Sequence, residues 1–426
     1  MCCWSRESAL VGSLVNYNSY CAIFSRLLSE RPGPGAKHLQ AERNYSSDMA
    51  SAALTGQREP PLGGTVRPPH FLADLYTFQW NAIEYRLPAV SAAAVGLCLF
   101  AGISAGYPGA GLVAGGGALT IGFGANQRIS DSRVMPMILA TLGMAIATLT
   151  GTLMGHRGYA LLCASGIAAA IYGVLTIRAA GLAWVGQQAS IALFVASAFP
   201  SGPRPAFERA GLMLVGGLVQ IVMTTAGLRL MPELQKDLLA IPRSLYSSLH
   251  GQRAEFLRRL RELPNVLPAP DRKAAAIYAA RLLVTVLAAS ELYRRLGIQS
   301  GYWIPMTALL VQKPAFYETL QRGLMRVAGT LTGATLATLL AAHVPFGPWW
   351  LASLATFFAY WALATIQVNY ALYSVFLTSY IVFLLSLNQI PGPEIAHRRA
   401  LCTIAGALIA IVIHVDELRR HRAVKA

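Results

Sequence analysis

The sequence predicts an all-α fold, that of a polytopic membrane protein with about twelve transmembrane helices in two parallel six-helix repeats. Three observations support this prediction. Hydrophobic residues make up 55% of the 426 residues and charged residues only 13%, whereas about 25% is usual in soluble domains. The apolar residues occur in blocks of about 18 to 22, long enough to cross a bilayer as a helix. The blocks of the second half also match those of the first.

Residues 1–70 differ from the rest of the chain and are predicted to be disordered. They are rich in Ser, Pro, Gly and Arg, and the runs RPGPG at 31–35 and EPPLGG at 59–64 are typical of turns or disorder. Met49, which opens the run MASAAL, is an alternative start of the natural chain. We assign this segment no function.

Apolar blocks follow in two groups of six, at 85–230 and at 277–416. In chain order, the predicted membrane segments are 87–105, 107–125, 134–154, 158–177, 182–200, 209–229, 277–296, 301–315, 323–343, 347–365, 368–388 and 399–416. The second and eighth segments are short and interrupted by Gly or Pro, so the sequence defines their extent least well.

The two groups are related by a constant offset of 190 residues. At this offset SGPRPAFERAGLMLVGGLVQIV lies over PGPEIAHRRALCTIAGALIAIV, with Arg209 over Arg399 and Gly216 over Gly406. One offset kept without gaps over such a length indicates internal duplication. Duplicated halves are common in transporters, whose binding sites often lie where the repeats meet.

The net charge of +16 reflects Lys and Arg residues that cluster in the gaps between apolar blocks. This distribution is typical of membrane topology signals and argues against nucleic-acid binding. With twelve segments, the cations are more frequent on the side that holds both termini, so both termini are predicted to be cytoplasmic. An even number of segments per half then makes the repeats parallel. Residues 417–426 are expected to form a basic cytoplasmic tail.

Residues 231–276 separate the two groups and are predicted to form a cytoplasmic amphipathic linker. In LYSSLHGQRAEFLRRLREL, leucines and Phe256 recur at helical spacing with arginines between them. Such a helix lies on the membrane surface or on its own bundle, or it docks a partner protein.

The stretches YWIPMTALLVQKP (302–314) and LQRGLMRVAGTLTGATLATLL (320–340) resemble the signature of the fusaric-acid-resistance (FUSC) family. The matching positions are Tyr302, Trp303, Pro305, Thr307, Pro314, Arg326, Gly329, Thr330 and Gly333. The stretch NYALYSVFLTSYIVFLL, which contains Tyr370 and Tyr373, also resembles a later span of the family. The resemblance implies a bacterial inner-membrane exporter of aromatic or other organic acids, with a membrane fusion protein as a candidate partner. Distant plant relatives of the family are organic-anion channels.

Helix breakers, aromatic rings and cations meet in this motif, which makes it the candidate site for an organic anion. Pro305 removes a backbone donor and is expected to interrupt its helix, which a bilayer tolerates only inside protein or beside water. Aromatic faces suit a substrate ring, and arginine binds a carboxylate through two parallel hydrogen bonds. The candidate substrate-binding residues are Tyr302, Trp303, Pro305, Thr307, Lys313, Arg322, Arg326, Tyr370 and Tyr373. Alternatively, the aromatic residues form an interfacial belt, the cations set topology and GTLTG packs helices closely.

Proton coupling requires a titratable group within the membrane, and acidic residues are scarce there. Glu291 is the first candidate, followed by His343 and His414. Alternatively, Glu291 pairs with the arginines that follow it in the sequence.

Enzyme signatures are absent from the sequence. It contains no phosphate-binding GxxxxGK[ST] loop, no HExxH and no GxSxG, and its six cysteines lack metal-ligand spacing. We therefore expect neither catalysis nor a cofactor or metal. The expected function is export of aromatic or related organic carboxylates by a proton-linked carrier; an organic-anion channel and a membrane scaffold are the alternatives. The candidate partners are the lipid bilayer, the organic anion, a fusion protein and a second copy of the chain.

Overall fold

A computed structural model describes residues 77–129, 132–155, 158–178, 180–229, 269–297, 300–343, 347–388 and 392–425. These residues confirm the all-α class: they form α-helices, two short 3-10 helices and one isolated bridge between Ile129 and Ser132. The predicted disordered segment 1–70 and residues 231–268 of the predicted linker lie outside the described residues. The described residues all belong to the compact unit Pro69–Ala426.

The described residues contain a helix at each predicted membrane segment. The helices are α1 Arg86–Ser104, α2 Pro108–Gly122, α3 Val134–Met154, α4 Tyr159–Arg178, α5 Ala180–Ser197, α6 Pro203–Arg229, α7 Ala269–Leu296, α8 Trp303–Val311, α9 Phe316–His343, α10 Pro348–Thr365, α11 Tyr370–Ser386 and α12 Gly392–Lys425. A 3-10 helix, Phe123–Asn126, extends α2. The end of the predicted linker, 269–276, and most of the predicted tail are continuous with α7 and α12.

Eight helices in the described part of the chain are long and apolar enough to cross a membrane: α1, α3, α4, α5, α6, α7, α9 and α12. The chain is therefore a multi-pass membrane protein by the length and composition of these helices. The expected segment 301–315 is reduced to the nine residues of α8. At 1.5 Å per residue α8 is only about 14 Å long, roughly half the thickness of a bilayer core.

Local sequence explains where several of these helices begin and end. Gly155 (φ 64°) and Gly297 (φ 62°) follow α3 and α7 with a positive φ, a backbone range in which glycine is the least strained residue. Asn369 caps α11, because its side-chain oxygen accepts hydrogen bonds from the backbone N–H groups of Ala371 and Leu372. The tight turn before α11 thereby fixes the direction in which Tyr370 and Tyr373 leave the backbone.

Helix pairs that pack together in the first half recur six helices later. The pairs α1–α2, α1–α6, α2–α6, α3–α5, α3–α6 and α4–α5 correspond to α7–α8, α7–α12, α8–α12, α9–α11, α9–α12 and α10–α11. Between the halves, α4 packs against α7 and α10 packs against α1. The closest approaches match as well: Gly216 lies against the carbonyl of Ala114, and Gly406 lies against the carbonyl of Ile304. Both pairs keep the offset of 190 residues.

The variant Gly406→Ala is expected to lower the melting temperature, because the new Cβ would lie 2.5 Å from the carbonyl oxygen of Ile304. Overpacking of this kind costs about 1–3 kcal/mol. Thermal unfolding of the purified protein in detergent measures the effect. The matched control is Gly211→Ala on α6, where no described atom lies within 4 Å and alanine favours the helix by about 1 kcal/mol. Equal melting temperatures for the two variants would contradict this account of the α8–α12 contact.

Candidate functional site

The candidate site lies among α8, α9, α11 and α12. Helix α9 packs against both α11 and α12, and α8 packs against α12. Glycines bring α9 and α11 together: a Cβ on Gly329 would lie 2.5 Å from the carbonyl oxygen of Ala371, and one on Gly333 would meet the carbonyl of Val375. The glycines of GTLTG are thus used for close helix packing. This close packing places the side chains that neighbour these glycines in the interior that the helices share.

Two arginines are the largest fully buried side chains in the described residues: Arg326 on α9 and Arg399 on α12, each 1% exposed. The guanidinium carbon of Arg399 lies 3.9 Å from the centre of the Trp303 ring, and its Nε donates to Thr378 Oγ1 at 3.3 Å. Arg326 is near enough to Arg399 for their charges to repel each other. A cation–π contact and a hydroxyl therefore hold one of two neighbouring buried cations.

Both guanidinium groups keep unused donors. Among the described residues, Nε and Nη1 of Arg326 and both terminal nitrogens of Arg399 are buried without a hydrogen-bond partner. Neither arginine forms an ion pair within that part of the chain. Buried cations are normally paired, since desolvating an unpaired charge costs several kcal/mol. The arrangement is suited to an anion with two oxygen acceptors, such as a carboxylate.

A third arginine and two tyrosines extend the cluster. The guanidinium carbon of Arg322 lies 4.0 Å from the centre of the Tyr370 ring, and the rings of Tyr370 and Tyr373 are 5.6 Å apart. The positive charges of Arg326, Arg322 and Arg399 all act on Tyr373. The structure therefore brings the three cations and both predicted tyrosines into one neighbourhood, which we call the arginine cluster.

The YWIPMT residues are buried rather than placed at a membrane surface. Tyr302 and Trp303 are each 4% exposed, with ring centres 4.7 Å apart, and Thr307 is fully buried. The expected helix break at Pro305 is wrong: α8 begins at Trp303, so Pro305 occupies the first turn. Backbone N–H groups there have no intrahelical partner, and proline costs little. Pro305 thus helps to start α8 instead of interrupting a longer helix.

Two predicted residues, Lys313 and Glu291, make their contacts with residues other than Arg326 and Arg399. Lys313 follows α8 in the turn before α9; its backbone N–H donates to Thr319 Oγ1 at 3.0 Å, and its half-buried side chain is influenced by the charges of Arg322 and Glu318. Glu291 is 27% exposed and accepts hydrogen bonds from Arg294 and Arg295 at 2.7 and 2.6 Å. The alternative interpretation of Glu291, an ion pair with the following arginines, agrees with this placement.

Sequence reasoning missed Arg399, because this residue begins the predicted segment 399–416 and was interpreted, like the other cations in the gaps between apolar blocks, as a topology signal. The signal that could have revealed it is the repeat, since Arg399 aligns with Arg209. The two positions differ in the structure: Arg209 donates to the carbonyl oxygen of Phe199 and, at 2.9 Å, to Ser201 Oγ. Arg209 is therefore satisfied by its own neighbours, whereas Arg399 keeps two unused nitrogens.

Within the described ranges, no group of three or more His, Cys, Asp or Glu side chains could hold a metal ion. The residues of the arginine cluster themselves supply positive charge, hydrogen-bond donors and aromatic rings.

Comparison with known proteins confirms the resemblance in the region that contains the site. Residues 283–413 match the family described as fusaric acid resistance protein-like. The uncharacterized transporter YdhK of Salmonella typhimurium strain LT2 and that of Escherichia coli strain K12 are each 31% identical over 139 residues. The uncharacterized protein slr1298 of Synechocystis is 28% identical over 124 residues.

These matches cover only part of each protein. The YdhK matches span 32% of this chain and 20% of each relative, and the slr1298 match spans 29% and 16%. No solved structure matches the chain. The family match thus extends over α8 to α11, with the second half of α7 and most of α12, and these helices include those that surround the arginine cluster.

The variant Arg326→Met is expected to leave the melting temperature unchanged or to raise it, because it removes a buried charge that has unused donors. Arg209→Met is the matched control. It should lower stability by about 1–2 kcal/mol, since it removes hydrogen bonds to Phe199 and Ser201. Thermal unfolding in detergent without added anions compares the two. A large loss for Arg326→Met alone would mean that Arg326 has a structural role.

Proposed function

We propose that this chain is a membrane transporter that exports aromatic or related organic carboxylates. The observation that carries the proposal is the pair of buried guanidinium groups, Arg326 and Arg399, with unused N–H donors. Arginine matches the planar geometry of a carboxylate and can donate two parallel hydrogen bonds to it. An entering carboxylate would supply the negative charge that the described residues do not provide.

The aromatic residues support an aromatic or otherwise planar substrate. Trp303 and Tyr370 each carry a guanidinium group over one ring face. Such contacts orient the cation but stabilise it less than an anion does, so the arginines remain available for a substrate. We propose that Tyr302 and Tyr373, which lie beside these two rings, contact the organic part of the substrate. Thr307 and Pro305 shape the α8 side of the same interior.

The proposed architecture is that of twelve membrane segments in two parallel repeats, 85–230 and 277–416, joined by a cytoplasmic linker. The recurring helix pairs and the matching contacts of Gly216 and Gly406 support it. Short helices such as α8 would complete their crossing with non-helical backbone, which is tolerated where protein surrounds it. We place both termini in the cytoplasm and the protein in the bacterial inner membrane.

Similarity to proteins called transporters supports the same function. The YdhK proteins are named as transporters, and the family match at 283–413 includes the helices of the arginine cluster. We propose that the present chain moves a solute and does not catalyse a reaction. A membrane fusion protein and a second copy of the chain are its proposed partners.

An organic-anion channel is the second candidate function. It is favoured by one observation, that Glu291, the first candidate for carrying a proton, is already bonded to Arg294 and Arg295. A channel would pass the carboxylate along its own gradient. Efflux from liposomes distinguishes the two, because collapse of the proton gradient slows a proton-linked exporter and leaves a channel unaffected.

Replacement of either buried arginine by a neutral residue is expected to lower the rate of transport strongly. Arg326→Gln and Arg399→Gln should each lower efflux of labelled benzoate from proteoliposomes by at least about tenfold, the effect of losing about 1.4 kcal/mol of binding. Arg398→Gln is the matched control, since Arg398 precedes Arg399 in the chain but is 42% exposed and paired with Glu394. Equal efflux by all three variants would exclude the arginine cluster as the substrate site. Efflux of an aliphatic carboxylate measured alongside tests the preference for aromatic rings.

A further inference from the structure

A second buried polar group lies next to the arginine cluster and is centred on His414 of α12. His414 is fully buried. Its Nε2 lies 2.9 Å from Nη1 of Arg281 on α7, and its Nδ1 lies 3.1 Å from Thr319 Oγ1 on α9 and 3.4 Å from Gln312 Nε2. One imidazole thus links three segments of the bundle.

These contacts determine the protonation state of the ring. Arginine only donates hydrogen bonds, so Nε2 of His414 has to offer its lone pair to Arg281. The single proton of a neutral imidazole is then on Nδ1, from which it is donated to Thr319 Oγ1. The Thr319 hydroxyl can in turn donate to the carbonyl oxygens of Lys313 and Ala315, at 3.2 and 3.1 Å. The contacts with Arg281 and Thr319 are those that an imidazole with a lone pair on Nε2 and a proton on Nδ1 makes.

Thr319 connects His414 to the arginine cluster. Thr319, Arg322 and Arg326 are spaced three and four residues apart on α9, so they lie on one face of that helix. A shift of α9 caused at Thr319 would move Arg322 and Arg326 with it, because a helix transmits displacement along its length.

The first half has no titratable counterpart of this group. At the offset of 190, Arg281 corresponds to Ser91 and His414 to Thr224. There the buried amide of Gln220 lies 2.8 Å from Ser91 Oγ and 2.9 Å from Thr224 Oγ1. Serine, glutamine and threonine stay neutral at all physiological pH values. The polar group that contains a titratable residue, His414, is thus located in the second half, which also carries the arginine cluster.

We infer that His414 is a proton-sensing residue that makes the proposed transport depend on pH. A proton that binds the lone pair of Nε2 turns this atom into a donor, which can no longer accept from Arg281. The two groups then carry like charges, and the hydrogen bond between Arg281 on α7 and His414 on α12 is lost. The inference rests on the proposed function only where it concerns transport, since the loss of the contact is a property of the folded protein.

Other charged groups face this region from the elements packed around it. Arg281 and Tyr278 belong to α7, Lys313 follows α8, and Glu318 and Arg322 belong to α9. Of these groups, Lys313 is the one that could produce the same pH dependence as His414, so the experiment includes a variant of Lys313.

The variant His414→Gln is expected to remove the pH dependence. Glutamine can accept from Arg281 and donate to Thr319 as neutral histidine does, but it does not titrate. The matched control is His397→Gln, because His397 lies on the same helix and is exposed. For the purified protein in detergent, the melting temperature of wild type and His397→Gln should fall as the pH is lowered from about 8 to 6, the range in which histidines gain charge. That of His414→Gln should stay nearly constant.

The same variants are then compared in benzoate efflux from proteoliposomes with equal pH on both sides, after subtraction of leakage from protein-free liposomes. Wild-type efflux should rise at least about threefold between pH 8 and pH 6, because His414, repelled by Arg281, displaces Thr319 and with it α9, and His414→Gln should remain at the level of pH 8. If the melting temperatures of His414→Gln and wild type fall equally with pH, or if only Lys313→Met removes the dependence, the inference is wrong. Absence of wild-type efflux would contradict the proposed function instead, and the melting temperatures would still decide the role of His414.

Discussion

Two buried positive charges, beside which the described part of the chain places no carboxylate, are the constraint on which the site depends. An isolated buried charge is expensive, and the described residues offer Arg326 and Arg399 only rings and hydroxyls. Their cost has to be offset by the packing of the surrounding helices. That packing is unusually close, because glycines on α9 and α12 place backbone against backbone. The site therefore depends on both features together, since close packing at the glycines offsets the cost of the buried cations.

The short helix α8 follows from the same arrangement. Its first residue, Trp303, has to lie under Arg399, and its middle has to lie against Gly406 of α12. A helix long enough to cross the whole membrane would place Lys313 beyond Thr319. The backbone N–H and carbonyl groups of Lys313 could then no longer form their hydrogen bonds with the Thr319 hydroxyl. Nine residues suffice to fill the space between these two contacts, and Gln312 leaves the helix in an extended conformation.

The sequence was sufficient to predict the class, the position of each helix and most residues of the arginine cluster, because apolar blocks and the YWIPMT motif are local patterns. It did not predict the length of α8 or the role of Pro305, since a proline that starts a helix and one that interrupts it look alike in an apolar run. Arg399 was missed because burial is a tertiary property, and charge counting assigns every arginine near a gap to a loop. The partners of Glu291 lie three and four residues away, so this pair was foreseeable as an alternative.

The unbalanced charge of Arg326 and Arg399 has an electrical consequence. Moving one elementary charge through a membrane potential of 100 mV changes the free energy by about 2.3 kcal/mol. In an exporter whose site alternates between the two sides, the empty site carries these charges, whereas a bound carboxylate cancels part of them. A potential that is negative inside would then draw the empty site back towards the cytoplasm, where it loads again. The resting voltage of the cell would thus drive the return half of the cycle, with no further ion required for that step.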